Sequence, residues 1–134
     1  TEEELADMRK EQEEKKDNFG YFGSYAKCRN LTMEQIEEKL AQNIPYVIRY
    51  RSEGSIEHKV IHNDLCKGKM EVTENDQDVV VLKSGGLPTY HFAHVVDDHL
   101  MHTTHVVRGE EWLPSVPKHV QMFSAFGFEA PKYS

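Results

Sequence analysis

Apolar residues change their spacing several times along this chain, and each change marks a different kind of element. Residues 1–17 are charged nearly throughout, with Leu5, Ala6 and Met8 as their apolar positions. Thr1 and Glu4 stand at capping-box spacing, so the segment predicts a solvated helix on the rim of a domain. Residues 18–30, with Gly20, Gly23 and several aromatic residues, read as a loop. A second helix is announced by Thr32 as cap, Gln35 as its box partner and Leu31 with Ile36 at staple spacing. Ile36 and Leu40 share a face, and Asn43 and Pro45 stop the helix.

From Tyr46 the period falls to two. Tyr46, Ile48 and Tyr50 face one way and Val47, Arg49 and Arg51 the other, which predicts a strand. Lys59–His62 and Met70–Val72 predict two more, separated by a turn at Lys67–Lys69. The first eighty or so residues thus read as α+β. Val79–Leu82 is a continuous apolar run, the mark of a strand buried on both faces. Gly85, Gly86 and Pro88 break it. Thr89 to about Met101 predicts a helix with Phe92, Val95, Val96 and Leu100 as its apolar set, and Val106–Val107 predicts a second buried strand. Strand, helix and strand make one βαβ unit. A last helix is capped by Ser115, carries Pro117 in its first turn and stops at Gly127. The fold class is α/β, and one βαβ unit does not complete a doubly wound sheet.

Composition narrows the function classes. With 38% hydrophobic and 29% charged residues the 134-residue chain has globular composition, and no apolar run approaches the roughly 18 residues of a membrane span. A net charge of −7 argues against a non-specific coat on DNA, though not against a local basic patch for one RNA. Cys28 and Cys66 form no disulfide framework, which suits a reducing, cytoplasmic setting.

Ligands of open α/β sheets sit at the carboxyl ends of strands. There the sequence places Arg108, followed by Glu110, Glu111 and Trp112. Arg108 is suited to grip a carboxylate or phosphate with two parallel hydrogen bonds, or else to pair with Glu110 or Glu111. Tyr90 starts the preceding helix and can face the same crevice. His91, His94, Asp98 and His102, spaced three, four and four, set four ligand-type groups on one helical face. The established short zinc signatures are absent, so surface histidines compete with a metal-binding or interaction module. No nucleophile elbow, phosphate loop or dinucleotide fingerprint is present.

Four stretches carry a resemblance. Leu87–Met101 reads Leu-Pro-Thr-Tyr-His-Phe-Ala-His-Val-Val-Asp-Asp-His-Leu-Met, and Thr104–His119 reads Thr-His-Val-Val-Arg-Gly-Glu-Glu-Trp-Leu-Pro-Ser-Val-Pro-Lys-His. With Cys28-Arg29-Asn30-Leu31-Thr32 and the Val79–Gly86 strand and turn, they resemble the bacterial glutamyl-tRNA synthetase family in order and spacing over nearly the whole chain. The resemblance implies a class I synthetase with a split Rossmann catalytic domain. Residues 1–78 would be most of an inserted domain that contacts the tRNA acceptor end, and residues 79–134 an incomplete portion of the second Rossmann half. It further implies activation of L-glutamate by ATP with Mg2+, then transfer to the 3′ end of tRNA(Glu).

Carried over by position, Tyr90, His91, Phe92, Ala93 and His94 look like the segment lining the glutamate pocket. Arg108 looks like the arginine for the substrate carboxylate, and Glu111 with Trp112 like the ATP-side contact. His94 stands where many relatives have Asn, and His102 where many have Gly. The His-Ile-Gly-His and Lys-Met-Ser-Lys type motifs of the family are not in the chain, so a fragment without catalytic residues of its own, inactive in isolation, is expected. Some relatives bind zinc through a Cys-x-Cys pair and a cysteine matching Cys28. That pair is not in the sequence, and no zinc is expected. Lys27, Arg29, Arg49 and Arg51 are candidate contacts to acceptor-stem phosphates, against the alternative of a solvated strand face.

Overall fold

The computed structural model describes residues 1–134. Its elements are α1 (Glu2–Lys15), a 3-10 turn (Gly23–Tyr25), α2 (Met33–Ala41), β1 (Ile48–Arg49), β2 (Lys59–Asp64), β3 (Gly68–Thr73), β4 (Val80–Leu82), α3 (Tyr90–Leu100), β5 (His105–Val106), a 3-10 helix (Glu110–Ser115), α4 (Val116–Ala125) and β6 (Lys132–Tyr133). They fall into two compact units, one of Thr1–Arg51 with Gln77–Leu87, the other of Ser52–Asp76 with Pro88–Ser134. This geometric division does not follow the 78/79 boundary expected from the sequence. It places β4 with the N-terminal helices and the β2–β3 hairpin with α3 and α4.

In the first unit both predicted capping boxes are formed. Thr1 accepts from the Glu4 amide at 3.2 Å, and Thr32 from the Gln35 amide at 3.3 Å. Each box satisfies amide donors that the first helical turn leaves without a partner. α1 buries Met8 and Gln12, four residues apart and so on one face, and ends at Lys16 in the left-handed region. α2 buries no residue, and Asn43 follows it at φ 53. The Arg49 guanidinium lies 4.1 Å from the Tyr21 ring centre and donates to the Asp78 carbonyl at 2.8 Å. Burial is the main cause holding the Arg49 pKa below its usual value.

The strand predicted over Tyr46–Arg51 is shorter than expected. β1 pairs antiparallel with β4, Ile48 opposite Leu82 and Arg49 opposite Val80, with a register shift between the two pairs. Beyond β1 the Tyr50 amide still donates to the Val79 carbonyl at 2.9 Å, but regular pairing does not extend over the rest of the alternating segment. β4 is likewise not buried on both faces, since only Val81 is buried.

The second unit holds the β2–β3 hairpin, with six pairs from Lys59–Thr73 to Asp64–Gly68. Its turn is shaped by Asp64, whose carboxylate accepts from the Cys66 and Lys67 amides at 2.8 and 2.7 Å. Gly68 supplies the φ of 77° that closes it. The core gathers Val95 of α3, Val116, Met122 and Phe123 of α4, and Tyr133 of β6.

The expected βαβ unit of β4, α3 and β5 is not formed. β5 instead pairs in parallel with β6, His105 opposite Lys132 and Val106 opposite Tyr133. The crossover runs through the 3-10 helix and α4, one element later than expected. The correction has a physical cause. Val107, taken as half of an apolar strand, is 82% exposed, so the run is not a buried strand. The true partner, in Ala-Pro-Lys-Tyr-Ser, has no apolar run to announce it.

Candidate functional site

Three elements of the second unit converge on one guanidinium. The Arg108 amide donates to the Ser134 carbonyl at 2.9 Å, which continues the β5–β6 pairing and fixes the backbone from which its side chain departs. The guanidinium carbon lies 4.9 Å from the Tyr133 ring centre, at stacking distance for a cation on an aromatic face. Its Nη2 lies 2.9 Å from His94 Nε2 and its Nη1 3.4 Å from His119 Nδ1. The alternative of an ion pair with Glu110 or Glu111 is not realised. Glu110 pairs with Lys67, and the Glu111 carboxylate folds back against Gly109.

α3 places the histidines by its period. His91 and His94 are separated by three residues and His94 and Asp98 by four, so the three share a face, and His94 Nδ1 lies 2.8 Å from Asp98 Oδ2. His102 does not join them. It lies beyond the helix at φ 56 and is exposed. No three His, Cys, Asp or Glu side chains are placed to hold one metal ion. Tyr90, half exposed at the first residue of the helix, stacks on His94 with ring centres 6.0 Å apart and meets Trp112 at 5.1 Å.

Tyr90, His91, His94, Arg108 and Trp112 are therefore brought together. Phe92 is not among them. Two residues on from Tyr90 it points to another side of the helix, where its ring meets Phe126 at 5.9 Å. Ala93 is half-buried on α3, and Glu111 is exposed.

Two members of the cluster were missed from sequence. His119, fully buried on α4, lies 2.8 Å from His91 and 4.4 Å, ring centre to ring centre, from His94. A signal existed, because His119 sits between Val116 and the Met122–Phe123 pair at helical spacing, a polar residue on an apolar face. Tyr133 gave none.

The cluster favours uncharged imidazoles. Burial, with His94, His91, Arg108 and Lys118 adding to it, pushes His119 down to about 2. Burial lowers His91, helped chiefly by Lys118. Burial also lowers His94, opposed by the Asp98 carboxylate and aided by Arg108. Tyr133 is pushed up to about 12, mainly by burial. The result is a fixed cation among neutral rings with no carboxylate of its own, an arrangement suited to an incoming anion.

The other candidates lie in the first unit. Arg29 Nε faces the buried Asp78 carboxylate at 3.5 Å, and Arg49 is engaged by Tyr21 and the Asp78 carbonyl. Lys27 and Arg51 are exposed. Arg49 and Arg51 do not share a strand face, since β1 ends at Arg49.

The chain is similar to proteins of known family. The family model for the catalytic domain of class I tRNA synthetases (E and Q) matches residues 1–134. A glutamate–tRNA ligase of Clostridium beijerinckii is 52% identical over all of this chain and 24% of its own length. The mitochondrial glutamate–tRNA ligase of Saccharomyces cerevisiae is 48% identical over 79% of the chain and 20% of its own. Among solved structures, a glutamate–tRNA synthetase of Elizabethkingia anophelis superposes with a TM-score of 0.83 at 40% identity, covering 100% of this chain and 28% of that one. A glutamate tRNA ligase of Elizabethkingia meningosepticum, solved in complex with its amino acid, gives 0.82 at 39% over 27% of its length. The chain thus spans about a quarter of the length of the relatives it matches. With a mixed α/β fold, an arginine-centred cluster and a match from first residue to last, this chain belongs to the class I tRNA synthetases for glutamate and glutamine, within their catalytic domain.

Proposed function

We propose that this chain serves a glutamate–tRNA ligase, in which L-glutamate is activated by ATP with Mg2+ to glutamyl-adenylate and transferred to the 3′ end of tRNA(Glu) in the cytoplasm. The observation that carries the reading is Arg108, a half-buried guanidinium held by His94, His119 and Tyr133, with Tyr90 stacked on His94. A planar fork of donors among neutral rings recognises a carboxylate by two parallel hydrogen bonds. A substrate without that carboxylate leaves the cation desolvated and unpaired, which sets specificity.

In this reading Tyr90, His91 and His94 line the glutamate side, with Phe92 and Ala93 in the same segment. Glu111 and Trp112, both exposed, take the ATP side. What these residues contribute is orientation and charge stabilisation. ATP brings the leaving group, and its phosphates are handled outside the residues assigned here.

The domain reading goes with it. Residues 1–78 act as most of an inserted domain against the acceptor end of the tRNA, and residues 79–134 as a portion of the second half of a split Rossmann domain. Lys27, Arg29, Arg49 and Arg51 are the basic residues proposed to meet acceptor-stem phosphates. Taken by itself the chain is expected not to charge tRNA.

The test is glutamate-dependent exchange of pyrophosphate into ATP by a full-length ligase carrying this sequence. Arg108→Ala is expected to remove it. Unchanged exchange would refute the role given to Arg108.

A further inference from the structure

Arg108 is held through its nitrogens by imidazole acceptors, and this fixes where the protons of the cluster lie. A guanidinium only donates. His94 Nε2, 2.9 Å from Arg108 Nη2, therefore accepts, with the Tyr133 hydroxyl 3.3 Å away as a second donor to the same nitrogen. The His94 proton is then on Nδ1, 2.8 Å from the buried Asp98 Oδ2, a charge contact rather than a hydrogen bond. His119 Nδ1, 3.4 Å from Arg108 Nη1, accepts in the same way. Its proton is on Nε2 and donates to His91 Nδ1 at 2.8 Å, so His91 carries its own on Nε2. Reversing any one of these tautomers sets two donors, or two acceptors, against each other.

We propose that Asp98, His94 and His119 are positioning residues for Arg108. Through two nitrogens they fix the plane of its guanidinium, and so set the direction in which its remaining N–H groups meet a substrate carboxylate. The proposal rests on the reading of Arg108 as the carboxylate-binding residue. The chain of bonds has a purpose that packing alone does not. The Asp98 charge beside Nδ1 favours the His94 tautomer that carries its proton there, and the burial of His119 keeps a second acceptor uncharged beside a permanent cation. Arg108, His91, His94 and Lys118 all oppose a proton on His119. Protonating either acceptor would remove one of the two bonds and put like charges in contact.

The first measurement needs no variant. Long-range nitrogen–proton spectra of the chain labelled with 15N-histidine, near neutral pH, should show His94 as the Nδ1–H tautomer and His91 and His119 as Nε2–H. His119 as Nδ1–H, or a charged His94 or His119, overturns the proposal.

The second uses the full-length ligase. His119→Leu should raise the KM for glutamate by about tenfold, the loss of one hydrogen bond to a charged group, and leave kcat within about twofold. His119→Asn, whose side-chain oxygen can stand where Nδ1 stood, should recover most of that loss, and His94→Gln should do the same relative to His94→Leu. If Arg108→Ala is severe and His119→Leu silent, the positioning role is wrong. If Arg108→Ala is itself silent, the carboxylate reading fails and the positioning role with it.

Discussion

The Gln12 side chain closes on both polar groups of Gly20, its Nε2 donating to the Gly20 carbonyl at 2.7 Å and its Oε1 accepting from the Gly20 amide at 3.2 Å. Gln12 is fully buried on a helix otherwise almost wholly exposed, so this pair of bonds ties α1 to the loop after it. Gln12→Leu keeps the volume and strips both partners from a half-buried backbone. It should cost about 2 kcal/mol in urea unfolding, with an unchanged m-value. A loss inside experimental error would mean that water replaces the side chain.

Stability should fall on the acid side. His119, His91 and His94 all have folded pKa values below the ordinary 6.5, and His119 lies at about 2. Below pH 6.5 the unfolded chain binds protons that the folded chain refuses. Stability is therefore full above the unfolded value and declines as pH drops through it toward the folded ones. Each such histidine contributes a slope of up to about 1.4 kcal/mol per pH unit. Urea midpoints followed downward from neutral pH should show this slope, and His119→Phe should flatten it.

Asp78 is a buried carboxylate that serves as an anchor. Its side chain faces Arg29 Nε at 3.5 Å, its carbonyl accepts from Arg49, and its amide donates to the Tyr21 carbonyl at 2.8 Å. Asp78→Ala leaves the two backbone bonds and removes the counter-charge from Arg29, whose side chain is only 20% exposed. The expected loss is about 2 to 3 kcal/mol, below the range for a fully buried pair. Double-mutant cycles with Arg29 would measure the coupling.

Gly54 is hemmed in on two sides. A Cβ there would press on the Asn75 carbonyl and on the Gln121 amide. Both belong to a polar cluster in which Gln121 Nε2 donates to the Asn75 carbonyl at 3.0 Å and the Gly54 amide donates to Ser52 Oγ at 3.2 Å. Gly54→Ala should destabilise by about 1 to 3 kcal/mol, as overpacking does, measurable as a lowered thermal midpoint.

The proposed RNA contacts separate by cost. Lys27→Ala and Arg51→Ala remove exposed charges and should shift stability by less than about 0.5 kcal/mol. In a full-length ligase each should raise the KM for tRNA and make it less sensitive to salt. An unchanged salt dependence in both would take these residues out of the interface.

Of the local signals the two capping boxes were faithful, while Ser115, expected to cap the last helix, has helical backbone at the end of the 3-10 helix and makes no side-chain cap bond; the long-range signals failed more widely. Thr1 with Glu4 and Thr32 with Gln35 named two helix starts because a capping box is complete within four residues. Asn43 and Gly127 stand where the chain turns left-handed after a helix. Strand pairing depends on residues far away, and there the reading slipped. Val79–Leu82 looked like one wall of a parallel sheet, yet its partner is the antiparallel β1. Arg108, Tyr90, His94 and Trp112 were named as candidates on strand-end position and resemblance, and the structure brings them together. His119 lay on the apolar face of its helix, a signal left unused, whereas Tyr133 escaped because its neighbours across the fold are not written beside it in the chain.

The parallel pair of β5 and β6 also sets a schedule. Arg108 owes its backbone bond to Ser134 and its stacking surface to Tyr133, both made more than twenty residues after it. During synthesis the guanidinium emerges first, with His94 already behind it, and waits without its floor until α4 and the last strand have cleared the ribosome. Arg108 is thus made before the last strand and the aromatic ring that set it in place.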